Sequence, residues 1–279
     1  MIRYLLSVFL SLALFCSQTS AGFLLNSYAL GKVPPTIENS VARASGSWGS
    51  VSSETLAATP PTGTSAILII ASYRAANAAR SCTATWNGSA ATEITDVQNN
   101  NRDGTCAYIV YNPSTGSSQN AVVTYSGSVS GTGLTILSLK GVAAGVSAHI
   151  DYVNNASGQT CTNTTSSVAS NHSLLIGSAN WTNGSATAGT DANISITGTG
   201  WTELLERGDT SSDGNHFSIS TYSDTVAGAS VSVTATTIET SSLNHCIIWS
   251  YRPHDFGFSC LALSSCFCLF CLIISCHAL

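Results

Sequence analysis

The sequence predicts an all-β protein, an antiparallel two-sheet β-sandwich, and three observations support this prediction. Short segments rich in β-branched and aromatic residues recur roughly every ten residues along the chain. Turn residues separate these segments, and Asn87-Gly88 supplies the positive φ angles that a tight hairpin needs. No stretch between the two ends of the chain shows a convincing helical period.

The segment 81–111 is the clearest part of this pattern. Strands at 81–86 and 92–97 flank the Asn87-Gly88 turn, and a strand at 105–111 follows the second turn. We expect further strands at residues 36–44, 52–58, 65–73, 120–126, 131–139, 149–153, 173–179, 201–207, 217–223, 229–236 and 245–251.

Two of these strands are apolar on both faces, which predicts central positions in the sheets. They are the run at 65–73 and the run at 131–139. Residues 154–171 are polar and rich in Ser and Thr, so we expect a long surface loop there. The sequence shows no clean internal repeat, although the strand lengths could disguise an old duplication.

The first 35 residues are expected to lie outside the sandwich. Arg3 precedes an apolar run, and small residues up to Ala21 resemble a cleavage site, so residues 1–21 are predicted to be a signal peptide. Residues 22–35 form an irregular segment that ends in two prolines. The sandwich domain is then expected to span residues 36–253.

The C-terminal segment 256–279 carries no acidic or basic residue apart from His277 and is long enough to cross a bilayer. It predicts either a membrane span or a glycolipid-anchor signal that is removed on attachment, with Asp255 as the attachment residue. An error in the gene model is a third explanation for the tail. On the first two interpretations the protein is secreted or displayed at the cell surface and reaches the membrane through this tail.

Charge is scarce in this chain. Only 8% of the residues are charged, the formal net charge is -5, and Lys and Arg together number nine. A nucleic-acid partner is therefore not expected, because there is no basic face to neutralise phosphates. Solubility must come from hydroxyls and amides, which fits an extracellular β-protein.

Four cysteines lie between the two terminal segments, namely Cys82, Cys106, Cys161 and Cys246. In an oxidising compartment an even set predicts two disulfides, with three possible pairings. We favour Cys82 with Cys106, because both lie near the same end of neighbouring strands, and this leaves Cys161 with Cys246. Zinc binding is disfavoured, since none of the four belongs to a Cys-x-x-Cys pair.

Seven sequons for N-glycosylation occur, at Asn87, Asn155, Asn163, Asn171, Asn180, Asn183 and Asn193. Sequons of this number are close to what chance gives in a chain so rich in Ser and Thr. Their crowding between Asn155 and Asn193 is more informative, because glycans there would shield one end of the molecule.

Two other groups of residues are candidates for ligand contact. Asp96, Asn99, Asn101 and Asp103 place four oxygen-bearing side chains around one turn, which could serve calcium, although such residues also simply form turns. Trp181 and Trp48 are candidates for stacking against sugars. The other tryptophans are expected to be core residues. No further cofactor is expected.

The sequence gives little support for an enzyme. It lacks a Gly-x-Ser-x-Gly elbow, a His-Glu-x-x-His pair and a phosphate-binding glycine loop. Glu203 and Glu206 lie three positions apart, so on a regular strand they should face opposite sides of the sheet. A carboxylate pair distant in sequence remains open, and no catalytic residue is assigned.

An ordered series of features resembles secreted bacterial and viral β-sandwich domains of largely unassigned function. The features are the apolar strand 65–73, Thr85-Trp86-Asn87-Gly88, residues 108–113 with Gly116, residues 137–142, residues 200–203 and a last strand that closes at Arg252-Pro253. The resemblance covers about residues 36–253. It implies a jelly-roll module of surface or envelope-associated proteins and carries over no catalytic residues. The four cysteines and the apolar tail depart from the usual pattern.

Together these features predict a surface-displayed, non-enzymatic binding or structural module that acts in adhesion, coat formation or glycan contact. Its expected partners are glycans or other surface proteins. The alternative is an extracellular hydrolase that acts on polysaccharide.

Overall fold

The computed structural model describes residues 35–45, 51–75, 78–99, 103–142, 144, 149–155, 160–165, 174–182, 194–207, 215–222, 228–237 and 243–251. All regular structure within these ranges is β-strand, which confirms the predicted all-β class. Among the described residues, none belongs to a helix that is long and apolar enough to span a membrane.

The strands are β1 (Thr36–Ser45), β2 (Val51–Ala58), β3 (Ala66–Arg74), β4 (Cys82–Trp86), β5 (Ser89–Ala90), β6 (Thr92–Asn99), β7 (Asp103–Tyr111), β8 (Gln119–Lys140), β9 (His149–Asn155), β10 (Thr160–Thr164), β11 (Leu174–Thr182), β12 (Ile194–Thr197), β13 (Thr202–Arg207), β14 (Asn215–Tyr222), β15 (Ser232–Thr237) and β16 (Leu243–Tyr251).

The strands form four layers. An eight-stranded sheet divides at the long strand β8 into an outer N-terminal sheet (β2, the first half of β8, β4, β5) and an inner N-terminal sheet (β1, the second half of β8, β3, β7, β6). The inner C-terminal sheet has the order β13-β14-β11-β16-β9, and the outer C-terminal sheet has the order β10-β15-β12. All pairs are antiparallel, as predicted, but the layers number four rather than two.

Three apolar clusters hold these layers together. Ile69, Leu134 and Val123 belong to the cluster between the two N-terminal sheets. Leu68 and Trp249 belong to the cluster between the two inner sheets. A third cluster, which includes Cys161 and Ile248, lies between the two C-terminal sheets. Each inner sheet is therefore buried on both faces, which explains why β3 is apolar at almost every position.

The two halves of the fold have the same strand pairing. In the N-terminal half β1 and β3 pair with the second half of β8, β2 and β4 with its first half, and β7 with β3 and β6. In the C-terminal half β9 and β11 pair with β16, β10 and β12 with β15, and β14 with β11 and β13. The fold is thus an internal duplication of one sandwich, which the sequence did not reveal.

A β-bulge marks equivalent positions in the two halves. The pairing of β6 with β7 shifts between Glu93 and Thr95, and that of β13 with β14 shifts between Glu203 and Leu205. Both bulges follow a Thr-Glu pair and skip one aliphatic residue. Because the register is fixed at this point, residues elsewhere in the two halves can be matched one to one.

The turn between β4 and β5 has the predicted geometry. Asn87 and Gly88 have φ angles of 49° and 81°. Positive φ at both central residues defines the type I′ turn, whose twist matches that of the flanking strands.

The matched positions Ile69 and Gly177 show how the halves differ in packing. Ile69 stands opposite Tyr108, which stands opposite Glu93, while Gly177 stands opposite Ser220, which stands opposite Glu203. The Trp201 ring occupies the space above Gly177, where a Cβ would lie 3.0 Å from Trp201 Cζ3. A hydrogen bond of 2.8 Å from Trp201 Nε1 to the Ser232 carbonyl holds the ring there.

We expect Gly177→Val to destabilise the protein by about 1–3 kcal/mol, because the new side chain would force Trp201 out of its place. In a Trp201→Ala background the same change should cost much less, since it fills the space that the ring leaves. Urea unfolding of the two single variants and the double variant measures the coupling, which should be about 0.5–3 kcal/mol. Additive effects would show that Trp201 does not compensate for the missing side chain.

Candidate functional site

The bulge in β6 brings two carboxylates to one face of the strand. Glu93 stands opposite Tyr108 and Asp96 stands opposite Cys106, two residues apart on β7. On a regular strand residues three apart would face opposite sides. The extra residue therefore aligns both acids along the edge of the inner N-terminal sheet, beside the disulfide of Cys106.

Tyr108 connects these acids to the neighbouring strand. Its hydroxyl donates a hydrogen bond of 2.6 Å to the Cys82 carbonyl and lies 3.4 Å from Glu93 Oε2. Burial, with the charges of Glu93 and Asp96 as smaller causes, raises the pKa of Tyr108 far above its usual range. The phenol therefore stays protonated and acts as a donor at the pH of any extracellular fluid.

Asp96 is half-buried and accepts a hydrogen bond of 3.1 Å from the Cys82 backbone N–H. Burial raises the pKa of Asp96, this hydrogen bond lowers it, and the charge of Glu93 adds to the increase, with a net upward shift. A carboxyl group with a raised pKa beside a second acid is the arrangement that general acid catalysis uses.

Two disulfides are present, and they have the pairing that the sequence favoured. Cys82 on β4 joins Cys106 on β7 with a Cα–Cα distance of 6.4 Å, and Cys161 on β10 joins Cys246 on β16 with 6.1 Å. Each bond links the outer sheet of its half to the inner sheet. Such bonds indicate that the chain folds in an oxidising compartment.

Asp96 and the sulfurs of Cys82 and Cys106 lie within 4.8 Å of one another, the spacing of a metal site. Because the two sulfurs are bonded to each other, they offer no thiolate to a metal ion. We therefore assign this cluster a structural role.

Three of the predicted calcium ligands lie on the β6–β7 hairpin, and the calcium site stays a prediction. Asp96 and Asn99 lie three residues apart on β6, and Asp103 begins β7. Asp96 is already bonded to the Cys82 N–H, and Asn99 pairs with Asp103 in the last rung of the hairpin. Asn101 lies outside the described residues.

The bulge in β13 overturns the expectation for the second acidic pair. Glu203 stands opposite Ser220 and Glu206 stands opposite Ser218, so both belong to the same face of the strand. The prediction that they face opposite sides was wrong, since it assumed a regular strand. Glu203 and Glu206 are the matched positions of Glu93 and Asp96 in the other half.

The outer C-terminal sheet presents a regular surface of hydroxyl groups. Along β10 and β15 the inward residues are Cys161, Asn163, Val233 and Ala235, all buried. The outward residues described in this sheet are all Ser or Thr, and we call them the hydroxyl face: Thr160, Thr162, Thr164, Thr197, Ser232, Thr234 and Thr236.

Strand register arranges these hydroxyls in rows. Thr162, Thr234 and Thr197 stand opposite one another across the three strands, as do Thr164 and Ser232 across two. The Thr162 and Thr234 Oγ1 atoms are 3.1 Å apart, and Thr164 Oγ1 is 2.8 Å from Ser232 Oγ. The face contains no charged or aromatic side chain among its described residues.

The outer N-terminal sheet has a surface that is also uncharged but less regular. Its outward positions are Ser53, Thr55, Ala57, Thr83, Thr85, Asn120, Val122, Thr124 and Ser126. Ala57, Val122 and Asn120 interrupt the hydroxyls there. Both ends of the four-layer stack thus expose polar groups without charge.

Glu54 is a buried carboxyl group in the first sandwich, with 8% of its surface exposed. Its Oε2 atom, the Tyr125 hydroxyl and Thr132 Oγ1 are buried without a hydrogen bond of good geometry. Burial raises the pKa of Glu54, and the nearby Thr132 hydroxyl, the Arg43 guanidinium and the Tyr125 hydroxyl only partly offset this increase. The sequence analysis did not single out Glu54, because a lone Glu in a polar strand resembles a surface residue.

The structure describes four of the sequon asparagines at least in part. Asn87 is exposed in the hairpin turn. Asn163 is buried, and its Nδ2 donates a hydrogen bond of 3.3 Å to the Cys246 carbonyl. Asn155 ends β9, and Asn180 lies within β11. Asn171, Asn183 and Asn193 lie outside the described residues.

The sugar-stacking role of Trp181 and Trp48 stays a prediction. Trp181 lies in β11, opposite His216 and Asn244 and so between two neighbouring strands, rather than in a loop. Trp48 and the anchor candidate Asp255 lie outside the described residues. Trp86 and Trp249 are buried, as expected, and Trp201 is half-buried.

Comparisons with known proteins do not assign a family or a function to this chain. No family model matches the chain, and no curated protein matches it. Among solved structures, an anti-sigma factor domain-containing protein is similar over 71% of this chain and 74% of its own, with 8% identity and a TM-score of 0.21. A TM-score this low carries no argument about fold or function.

We expect Glu54→Gln to stabilise the protein at pH 7, because the amide removes a buried charge. The folded pKa of Glu54 lies above the unfolded value, so its stabilising contribution is complete below the unfolded pKa and is lost as pH rises through the folded pKa. The unfolding free energy of the wild type should therefore fall more steeply than that of the variant as pH rises above the unfolded pKa of Glu54. Glu38→Gln, at an exposed position on β1, is the control for the loss of one carboxylate in the same half of the fold.

We expect Asn163 to remain unglycosylated in a eukaryotic secretory host, whereas Asn87 should be modified. A glycan on the Asn163 nitrogen would break its hydrogen bond and could not fit between the C-terminal sheets. Glycosidase treatment in heavy-oxygen water followed by peptide mass spectrometry measures both sites. Full occupancy at Asn163 in folded protein would contradict the position of β10.

Proposed function

We propose that this chain is an extracellular, surface-displayed, non-enzymatic binding or structural module that contacts a neutral partner through an outer sheet. The observation that carries the proposal is the uncharged hydroxyl character of both outer faces. Ser and Thr hydroxyls both donate and accept hydrogen bonds, which suits a surface of hydroxyl groups such as a neutral glycan or a hydrated coat.

The location follows from the disulfides and from the two ends of the sequence. Both sandwiches are cross-linked between their sheets, as in proteins of oxidising compartments. The predicted signal peptide at residues 1–21 would export the chain, and the segment 256–279 would hold it at the membrane as a span or through a lipid anchor.

We infer that each sandwich is a jelly roll. The order β1, β8, β3, β7 in one sheet and β2, β8, β4, β5 in the other agrees with this topology, and the second half repeats the pairing of the first. Jelly rolls occur in lectins and viral coats, and the resemblance to secreted and viral sandwich domains points the same way. This support is an analogy of fold and does not identify a ligand.

A second candidate is a hydrolase that acts on polysaccharide, and the paired acids on β6 favour it. Glu93 and Asp96 share one face, Tyr108 donates beside them, and the pKa of Asp96 is raised by burial. Glycosidases use two carboxyl groups, and the one that acts as the general acid has a raised pKa. These two acids lie at a sheet edge, and one of them, Asp96, accepts a hydrogen bond from a backbone N–H. They therefore support an enzyme less strongly than the outer faces support a binding module.

Sedimentation with insoluble polysaccharides tests the proposal. Protein released from the cell surface should bind neutral polymers. A variant of the hydroxyl face such as Thr234→Lys should bind more weakly, because it places a charge on a neutral contact surface. Release of soluble sugar that Glu93→Gln or Asp96→Asn abolishes would instead establish the hydrolase. Retention only by anionic polymers would contradict the proposal, because the faces offer no cations to bind them.

A further inference from the structure

Strand β2 carries a buried carboxyl group on a weakly held edge. Among the residues whose burial the structure describes, Glu54 is the only acidic or basic side chain that is buried. Its strand lies at the edge of the outer N-terminal sheet and, among the described strands, pairs with β8. That pairing is interrupted close to Glu54, since the register shifts between Val51 and Ser53. Backbone hydrogen bonds therefore hold the strand of Glu54 on one side.

The two halves of the fold differ in how this edge strand is attached to the inner sheet. In the C-terminal half β10 has the place of β2, and the bond between Cys161 and Cys246 ties it to the inner sheet. In the N-terminal half the disulfide starts from Cys82 on β4, on the other side of β8. Strand β2 contains no cysteine. Its attachment to the inner N-terminal sheet therefore depends on side-chain contacts.

Glu54 makes such a contact through two hydroxyl groups of β8. Tyr125 belongs to the first half of β8, in the outer sheet, and Thr132 to the second half, in the inner sheet. Both hydroxyls are within hydrogen-bonding reach of the Glu54 carboxyl group. Glu54 Oε2 and the two hydroxyl oxygens are nevertheless enclosed without a hydrogen bond of good geometry. The carboxyl group thus joins β2 to the inner sheet in a polar cluster that water does not reach.

The charge of Glu54 decides whether this contact is favourable. An enclosed carboxylate costs far more free energy than the neutral acid unless an opposite charge pairs with it. The charged and titratable groups that act on the cluster are Arg43 on β1, which is exposed, and Tyr73 on β3, whose ring lies 5.2 Å from that of Tyr125. Burial raises the pKa of Glu54 and that of Tyr125. Because tyrosine hydroxyls ordinarily titrate far above carboxyl groups, Glu54 is the first member of the cluster to change charge as pH rises.

We propose that β2 is a proton-controlled clasp, which is closed on the inner N-terminal sheet while Glu54 is neutral and opens locally when Glu54 loses its proton. In the closed form the neutral carboxyl group lies against Tyr125 and Thr132. In the open form the carboxylate reaches water, and the edge of β8 at residues 119–124, which β2 covers, becomes exposed. Strand β10 does not open in this way, because a disulfide holds it. The clasp goes beyond the proposed function and needs no ligand.

The pH dependence of the clasp has a definite sign. The pKa of Glu54 is higher in the closed form than in the open form, where the carboxyl group is solvated. The closed form is therefore fully stable below the pKa of the open form, and this stability is lost as pH rises through the pKa of the closed form. Between the two pKa values the population of the open form should increase about tenfold per pH unit, and above the higher value it should level off.

Hydrogen exchange of the full protein at a series of pH values, corrected for intrinsic exchange rates, tests the clasp. The amides that pair β2 with β8 should lose protection by about tenfold per pH unit within this range, while those of β10 should keep theirs. Glu54→Gln should abolish the loss, because its amide is neutral at every pH. Glu38→Gln, which removes an exposed acid on β1, is the matched control and should behave as the wild type. If circular dichroism shows that Glu54→Gln is not folded, Glu54→Met takes its place.

Two results would overturn the inference at Glu54 itself. One is protection of β2 that does not change with pH in the wild type, and the other is an equal loss of protection in the wild type and in Glu54→Gln. A parallel loss of protection in β10 would show unfolding of the whole domain rather than opening of one strand, and it would also overturn the clasp.

Discussion

Apolar contact between the two inner sheets is the constraint on which the rest of this structure depends. Leu68 and Leu137 on one side meet Ile176 and Trp249 on the other, and both inner sheets are also covered on their far faces. Strands buried on both faces have no room for charge, because an unpaired buried charge costs several kcal/mol. Charged groups are therefore restricted to the outer sheets, edges and turns, which is one reason that so few residues are charged.

The duplication shows which features the two sandwiches share and which differ between them. Pairing and the bulge are the same in both halves, while matched positions hold different residues. Leu134 stands opposite Ala71 where Cys246 stands opposite Ala179, so one half packs a leucine where the other places a disulfide. In the C-terminal half, the Trp201 ring likewise fills the space that Gly177 leaves empty. Cores tolerate such changes as long as total volume and pattern are preserved.

The parts of the fold that were predictable from sequence are those where one face or both are consistently apolar. The apolar runs in β3 and in the second half of β8 indicated central strands, and Asn87-Gly88 indicated its turn. Strand β10 was mistaken for a loop, because its inward residues are Cys161 and Asn163 rather than aliphatic ones. An Asn looks like a turn residue unless its partner, here the Cys246 carbonyl, is known.

Other features could not be predicted because they depend on contacts between distant segments. The segments 120–126 and 131–139 are one strand of 22 residues that serves two sheets, which no local pattern shows. The same-face positions of the acidic pairs depend on bulges, and a bulge reverses any argument from alternation. Glu54 likewise resembles a surface residue until Tyr125 and Thr132 are placed around it.

Comparison of the two outer sheets separates what folding requires from what it does not. Both sheets must expose one face to water without much charge, and Thr meets this need because it favours strands and bonds to water. The outer N-terminal sheet satisfies the requirement with a mixture that includes Ala57, Asn120 and Val122. The outer C-terminal sheet, with the same strand pairing, uses only Ser and Thr at its described outward positions. Because the strand pairing is shared, it does not by itself dictate the more uniform composition of the outer C-terminal sheet.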